Sequence, residues 1–201
     1  MNIASGRLEA VVLAAGAGSR FGGGKLTAPH GTGVLLDGAL AAAFAAPARH
    51  VTVVTGAHAA CVEAAASAWA ERAGQGRRLR LVHAADHVEG VAASLRAGIA
   101  ALPPDCTGAF IFLGDMPRVP HAVLDLLAKA VAAGAPAAAP MFAGRRGHPV
   151  LFGRDLFPDL LALTGDAGGR AVLQRLGERL VLVEAPDQGV RFDVDRREDL
   201  A

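Results

Sequence analysis

Only two cysteines occur in the 201 residues, Cys61 and Cys106, and neither stands in a CxxC pair or beside histidines at ligand spacing. That scarcity excludes a disulfide framework and a cysteine-based zinc site, and both thiols are expected to behave as small buried hydrophobes. Long apolar runs are also missing. No stretch approaches the roughly 18 consecutive apolar residues of a membrane helix, and Gly6 with Glu9 interrupts the N-terminus before it can read as a signal peptide. The expectation is a cytoplasmic protein with no membrane partner. An excess of charge of one sign is absent too, since 20 basic residues face 19 acidic ones for a net charge of +1. Proteins that neutralise many phosphates carry a basic excess or stripe, so nucleic acid is not an expected partner. The nearest approach to a stripe, Arg77, Arg78 and Arg80, reads as the solvated start of a strand. Lysine is the last scarcity: of the 20 cations, 18 are arginine and only Lys25 and Lys129 are lysine.

What is present is a regular alternation of short apolar runs and helical periodicity. Strands are expected over Leu8–Leu13, His50–Thr55, Arg78–His83 and Ala109–Leu113. Helices are expected over Val34–Ala46, Ala57–Arg72, Gly90–Leu102 and Pro120–Ala133. Strands separated by helices of this length imply βαβ crossovers. The fold class is therefore α/β, a Rossmann-like doubly wound, mainly parallel sheet in three α/β/α layers. After Pro136 the rhythm changes to an irregular hairpin over Met141–Phe152, short helices near Asp155–Leu163 and Gly169–Leu176, and strands over Leu180–Glu184 and Val190–Val194. No repeat or linker divides the chain, so residues 1–201 are expected to form one domain.

In such a sheet ligands bind beyond the carboxyl ends of the strands. The first loop there runs from Leu13, Ala14 and Ala15 through Gly16, Gly18, Ser19, Arg20 and Phe21 to Gly24 and Lys25. Its glycines let backbone N–H groups approach an anion, and Arg20 and Lys25 bring two cations, which together suit a polyphosphate. It is not a dinucleotide fingerprint, because Phe21 stands where GxGxxG needs glycine. Nor is it a Walker A loop, because Ser19 stands at the leading glycine and Leu26 at the magnesium-binding Ser or Thr. A lysine here, in a chain that writes positive charge as arginine, suggests a need for a compact ammonium.

The fourth predicted strand delivers Asp115 within Gly114-Asp115-Met116-Pro117. A carboxylate opposite Lys25 and Arg20 suits Mg²⁺, which takes one or two protein carboxylates with phosphate oxygens and water. Near the C-terminus Asp193 and Asp195 project to one side of an extended segment, and Asp195 is the expected second ligand. The alternative for Asp195 is a helix cap, with Glu198 completing a capping box. His30, His58, His83, His87 and His121 show no paired spacing and read as surface or edge residues. Trp69 and the phenylalanines read as core.

These motifs together resemble the MobA/MocA-type NTP transferases, on the loop LAAGxGxRFGxxK, the GDMP and the VDxxEDL ending. The likeness runs over essentially the whole chain and is nearest to the molybdenum cofactor cytidylyltransferase branch. It implies a nucleotide-diphospho-sugar-transferase-like fold. By the same likeness, Glu89 to Gly98, with Gly90 and Ser94, resembles the segment lining the nucleotide base, so the nucleoside is expected across Leu13, Ala14, Ala15, Gly16, Gly18, Gly90 and Ser94. Gly144 to Val150 and Gly165 to Arg170 resemble acceptor-side segments, which places His148, Asp166 and Arg170 on the acceptor; from its residue type alone, His148 reads first as a structural or hydrogen-bonding group. Ala15, where guanylyl relatives have glycine, points to CTP, whereas Met116 is shared with guanylyl relatives and keeps GTP open.

The implied reaction needs no catalytic triad. A phosphate monoester is already largely ionised at neutral pH, and what remains is positioning and charge neutralisation as it attacks the α-phosphorus. Lys25, Arg20 and Asp115 are the expected catalytic residues, with Mg²⁺ on Asp115 and Asp195. CMP would pass from CTP to the phosphate of molybdopterin with release of pyrophosphate, and GTP is the alternative donor. From a different class, the alternative is a non-catalytic molybdenum cofactor carrier or maturation chaperone. A client molybdoenzyme is a possible partner in either case.

Overall fold

The structure is a computed structural model that describes residues 7–200; Gly6 lies outside them. In chain order the elements are β1 (Leu8–Ala14), a small hairpin of β2 (Pro29–His30) and β3 (Gly33–Val34), α1 (Leu36–Ala45), β4 (Val51–Thr55), α2 (Ala59–Arg72), β5 (Leu79–His83), α3 (Val91–Ala100), β6 (Gly108–Leu113) and α4 (Ala122–Ala132). They are followed by β7 (Ala137–Phe142), β8 (Arg145–Arg146), β9 (Val150–Gly153), α5 (Phe157–Leu161), α6 (Arg170–Leu176) and β10 (Leu180–Glu184). The main sheet has the order β10-β7-β9-β6-β1-β4-β5, with β8 paired to β7. β6, β1, β4 and β5 are mutually parallel, β10 is parallel to β7, and β9 runs antiparallel between β6 and β7.

Alternation along the strands explains the layers. Ala10, Val12, Val51, Val53, Phe110 and Phe112 turn to one face and pack beneath residues of α1, α2 and α4. Val11, Val54, Ala109, Ile111, Val150 and Phe152 turn to the other and pack against α3, α5 and α6. Strands buried on both faces read as continuous apolar runs, which is the pattern of β1 and β6. The result is an α/β/α fold of Rossmann-like type with a mixed sheet. No helix among the described residues is long and apolar enough to cross a membrane.

The C-terminal third departs from the sequence expectations in two places. Residues 141–152 do not form an isolated irregular hairpin: β7 starts at Ala137, β8 closes a short hairpin on it, and β9 enters the main sheet through Ile111↔Val150 and Ala138↔Leu151. Val190–Val194 is not a strand. Gln188–Arg191 forms a 3-10 turn capped by the Asp187 carboxylate, which accepts the Gly189 N–H at 2.7 Å. The backbone groups beyond it bond singly, the Val190 carbonyl accepting from His148 N–H and Val194 N–H donating to the Asp115 carbonyl. Val190 and Val194 are fully buried, so their apolar spacing signals burial but not conformation.

Three smaller expectations also shift. Cys61 is exposed on α2 and only Cys106 is buried. Arg78 is not merely solvated, for it donates to the carbonyls of Phe44, Ala48 and Arg49 and lies over the Phe44 ring. Trp69, partly buried, stacks on Phe44 at 5.1 Å.

Gly98 sets how closely α3 approaches the sheet. A Cβ added there would come within 2.6 Å of Val11 Cγ1 and 3.1 Å of Val54 Cγ2. Gly98→Val is therefore expected to destabilise the fold by about 1–3 kcal/mol through overpacking. Urea unfolding checks this, and an unchanged midpoint would show that α3 can retreat freely.

Candidate active site

Strands β1 and β6 run parallel in the register Leu13↔Leu113, so their following loops leave the same edge of the sheet side by side. The loop after β1 folds on itself. Gly18, at φ +61°, accepts the Phe21 and Gly23 N–H groups through its carbonyl, and Gly24, at φ +63°, opens the turn Lys25–Thr27. A Cβ on Gly18 would lie 2.9 Å from Lys25 Cβ, so the absence of a side chain there lets Lys25 cross the mouth of the loop. His58 braces the same loop, its Nε2 lying 3.4 Å from the Gly24 amide nitrogen and 3.2 Å from the Ala17 carbonyl.

Lys25 Nζ donates to Asp115 Oδ2 at 2.6 Å and lies 3.8 Å from Asp195 Oδ1. The side chains of Lys25 and Asp115 are only 14% and 24% exposed, so this ion pair is poorly hydrated. Asp115 is the second residue past β6, and the Val194 N–H donated to its carbonyl ties the C-terminal segment to it. Asp195 therefore stands beside Lys25 and also accepts from Arg20 at 3.2 Å on the exposed rim. The capping expected of Asp195 falls instead to Asp199, whose carboxylate accepts the N–H groups of Asp195 and Arg196. Asp193 completes the cluster. Burial, with the negative charges of Asp115 and Asp195, pushes its carboxyl above the usual range.

Among the described residues no group of three or more His, Cys, Asp or Glu side chains is arranged to hold a metal alone. Two carboxylates beside a phosphate loop nevertheless fit Mg²⁺, which completes its shell with substrate oxygens and water.

Beside the ion pair opens a cavity of about 370 Å³. Leu13, Ala14, Ala15, Gly16, Gly18, Lys25, Gly90, Ser94 and Asp115 all line it, as does Asp166, which the sequence groups with the acceptor side. Gly90 has φ +114°, and a Cβ on it would collide with the Asp166 carboxylate and the Gly165 carbonyl. His148 and Arg170 do not line this cavity. His148 follows β8, and its Nδ1 is buried without a hydrogen-bond partner among the described residues. Burial holds its imidazole below the usual range, Arg146 adds to the effect, and the Ile111 backbone and the Asp115 charge oppose it. Arg170 opens α6, and its charge adds to burial, the larger cause, in holding Arg146 below the usual arginine range.

Sequence reasoning missed His87, Val91, Leu26 and Leu113 in the cavity wall and His58 against the loop. For His87 a signal existed: it lies in the connection after a parallel strand, on the edge where such sheets bind ligands.

The chain matches the MobA-like NTP transferase domain over residues 10–180. No curated protein matches it significantly. Among solved structures it is similar to Rv0371c of Mycobacterium tuberculosis, with 31% identity, 96% of this chain and 95% of that one covered, and a TM-score of 0.77. That protein has also been solved in complex with manganese. A homologue from Mycobacterium sp. strain JC1 gives 29% identity over 96% and 92% of the two chains, with a TM-score of 0.79. A nucleotidyl transferase of Methanothermobacter thermautotrophicus gives 26% identity over 96% and 94%, with a TM-score of 0.73.

The crossing of Gly18 and Lys25 yields a prediction. Gly18→Ala is expected to cost about 1–2 kcal/mol of stability through its left-handed backbone. By displacing Lys25 it should also weaken binding of inorganic triphosphate at least tenfold. Calorimetric titration of the folded variant tests the second effect, and binding equal to that of the parent protein would refute it.

Proposed function

Because the chain belongs to the MobA-like NTP transferase family, we propose that it transfers CMP from CTP to the phosphate of molybdopterin and releases pyrophosphate. The observation that carries the reading is Lys25, clasped between Asp115 and Asp195 where the glycine loop opens onto the cavity. A carrier needs no such poorly hydrated charge cluster.

In this reading the nucleoside lies against Leu13, Ala14, Ala15, Gly16, Gly90 and Ser94, and the triphosphate follows the loop past Gly18 to Lys25 and Arg20. An oxygen of the acceptor phosphate attacks the α-phosphorus as the bond to the β-phosphate oxygen breaks, and pyrophosphate departs with the electron pair. Lys25 stabilises negative charge on the α-phosphoryl oxygens, Arg20 meets the departing pyrophosphate at the rim, and the loop N–H groups add fixed dipoles. Asp115 and Asp195 would hold a divalent cation, which supplies charge neutralisation between donor and acceptor phosphates. The mycobacterial relative has been solved in complex with manganese, which supports a divalent cation in the reading. His148 and Arg170 face the acceptor, with Asp166 at the junction between acceptor and nucleotide. The methyl group of Ala15 takes space from the cavity and favours a pyrimidine; GTP is the alternative donor.

The test is pyrophosphate release with Mg²⁺, purified molybdenum cofactor and each of CTP, GTP, ATP and UTP, against controls lacking the cofactor. Cofactor-dependent release with CTP is expected, release with GTP alone would move the assignment to guanylyl transfer, and no release from folded, cofactor-binding protein would refute transfer to this acceptor.

In the same assay Asp115→Ala is expected to abolish metal-dependent turnover without unfolding the protein, and near-normal turnover would remove Asp115 from the metal site. Lys25→Ala should lose well over tenfold in rate, which corresponds to more than about 1.4 kcal/mol of transition-state stabilisation. Lys25→Arg should restore only part of it, because a planar guanidinium does not fit where a compact ammonium sits.

A further inference from the structure

The cavity wall around Gly90 presents two polar side chains of one hydrogen-bonding kind, His87 and Asp166. His87 lies in the short 3-10 turn after β5, and its Nδ1 is 3.0 Å from the Ala84 carbonyl oxygen. An oxygen only accepts, so in the neutral ring this contact assigns the proton to Nδ1 and leaves Nε2 as an acceptor. The ring is backed by Gly56, where a Cβ would come within 2.8 Å of His87 Cγ. Asp166 approaches from the turn before α6. Its position is fixed twice, since the Gly165 carbonyl accepts the Ala92 N–H at 3.1 Å and the Asp166 carboxylate abuts Gly90 at the one position where a side chain would exclude it. Among the described residues the carboxylate has no hydrogen-bond or ion-pair partner. Ionised aspartate is acceptor-only.

We propose that Asp166 and His87 determine base specificity by selecting a nucleotide whose base carries an exocyclic amino group. The inference rests on the nucleotidyl-transfer reading and moves Asp166 from acceptor to donor recognition. Cytosine offers two amino hydrogens, adenine the same, and guanine an amino group beside a ring N–H, so each can meet two acceptors. Uracil turns a carbonyl oxygen to the place where cytosine has its amino group. It would leave the carboxylate unpaired against another acceptor, and sites built to hydrogen-bond one partner reject the analogue that cannot by the largest ratios. Asp166 and His87 thus exclude UTP, and the space around Ala15 is left to divide pyrimidine from purine.

The experiment is calorimetric binding of CTP, UTP, GTP and inorganic triphosphate, with Mg²⁺ and without acceptor, to the parent protein, Asp166→Asn and Asp166→Ala. The parent should bind CTP at least tenfold more tightly than UTP. Asp166→Asn, whose amide supplies a donor, should shift the CTP/UTP ratio toward UTP by tenfold or more while triphosphate binding stays unchanged. Asp166→Ala should shift it less. A CTP/UTP ratio unchanged in Asp166→Asn would overturn base reading, as would equal weakening of all three nucleotides, and either result would leave nucleotidyl transfer standing. Folded parent protein that binds no nucleotide would overturn both.

Discussion

The Lys25–Asp115 ion pair is the contact around which the functional edge is organised. It exists only because β1 and β6 are adjacent and parallel with Leu13 opposite Leu113, so that both chains reach the carboxyl edge at one level. Its poor hydration argues for function over stability. A buried pair gains Coulomb energy and loses hydration, and the two commonly cancel to within a few kcal/mol. Removing one member leaves an uncompensated charge, so the pair constrains what else can stand nearby. The glycine loop satisfies that constraint by carrying no side chain where Lys25 crosses Gly18.

The charges around the pair do not balance by themselves. Lys25 meets Asp115 and Asp195, Arg20 meets Asp195, and Asp193 adds a third carboxylate whose carboxyl is raised first by burial and then by the charges of Asp115 and Asp195. A divalent cation would reverse the local sign and admit a triphosphate beside three carboxylates. Under the proposed nucleotidyl transfer, the acidic corner and the basic, glycine-rich loop would be complementary, the one holding a cation and the other the phosphates. The division also accounts for lysine at position 25. A compact ammonium fits between two carboxylates at 2.6 and 3.8 Å, whereas Arg20 serves at the open rim, where a planar guanidinium has room.

Legibility in the sequence followed the range of the interactions. β1, β4 and β6 are apolar runs long enough to announce buried parallel strands, and their position dictated that the glycine loop and Asp115 would lie at one edge. Local chemistry of that kind needs no knowledge of distant partners. β9 was not legible as a sheet strand, because it is only four residues long, all pairing antiparallel with β6 and two of them also with β7, and periodicity carries no information on a register set by distant β6. Val190 and Val194 mislead for the same reason, being buried by loops and not by a ladder. The role of Asp199 escaped because Asp195 and Glu198 satisfy the capping pattern equally well on paper. Only the pull of Lys25 and Arg20 on Asp195 decides between them. His87 escaped because, outside a paired motif, its place after a parallel strand is its only mark in the sequence, and the Ala84 carbonyl that orients its ring is visible only in the fold.

The antiparallel β9 also explains how a short chain surrounds its ligand. In a wholly parallel sheet each strand contributes one loop to the functional edge and each return helix ends at the opposite one. β9 runs the other way, beginning opposite Ile111 near the functional edge and ending opposite Gly108. The turn before it, carrying Arg145 to His148, therefore lies on the functional side with the end of β7. After β9 the chain must climb back through α5, which delivers Gly165 and Asp166 against Gly90 before α6 descends. β10, parallel to β7, then rises once more and leaves Asp193 and Asp195 beside Asp115. One reversed strand thus yields two extra visits to the same edge. Those visits bring Asp166 against Gly90 in the cavity wall and Asp195 beside Lys25, so residues from both halves of the chain meet at one edge.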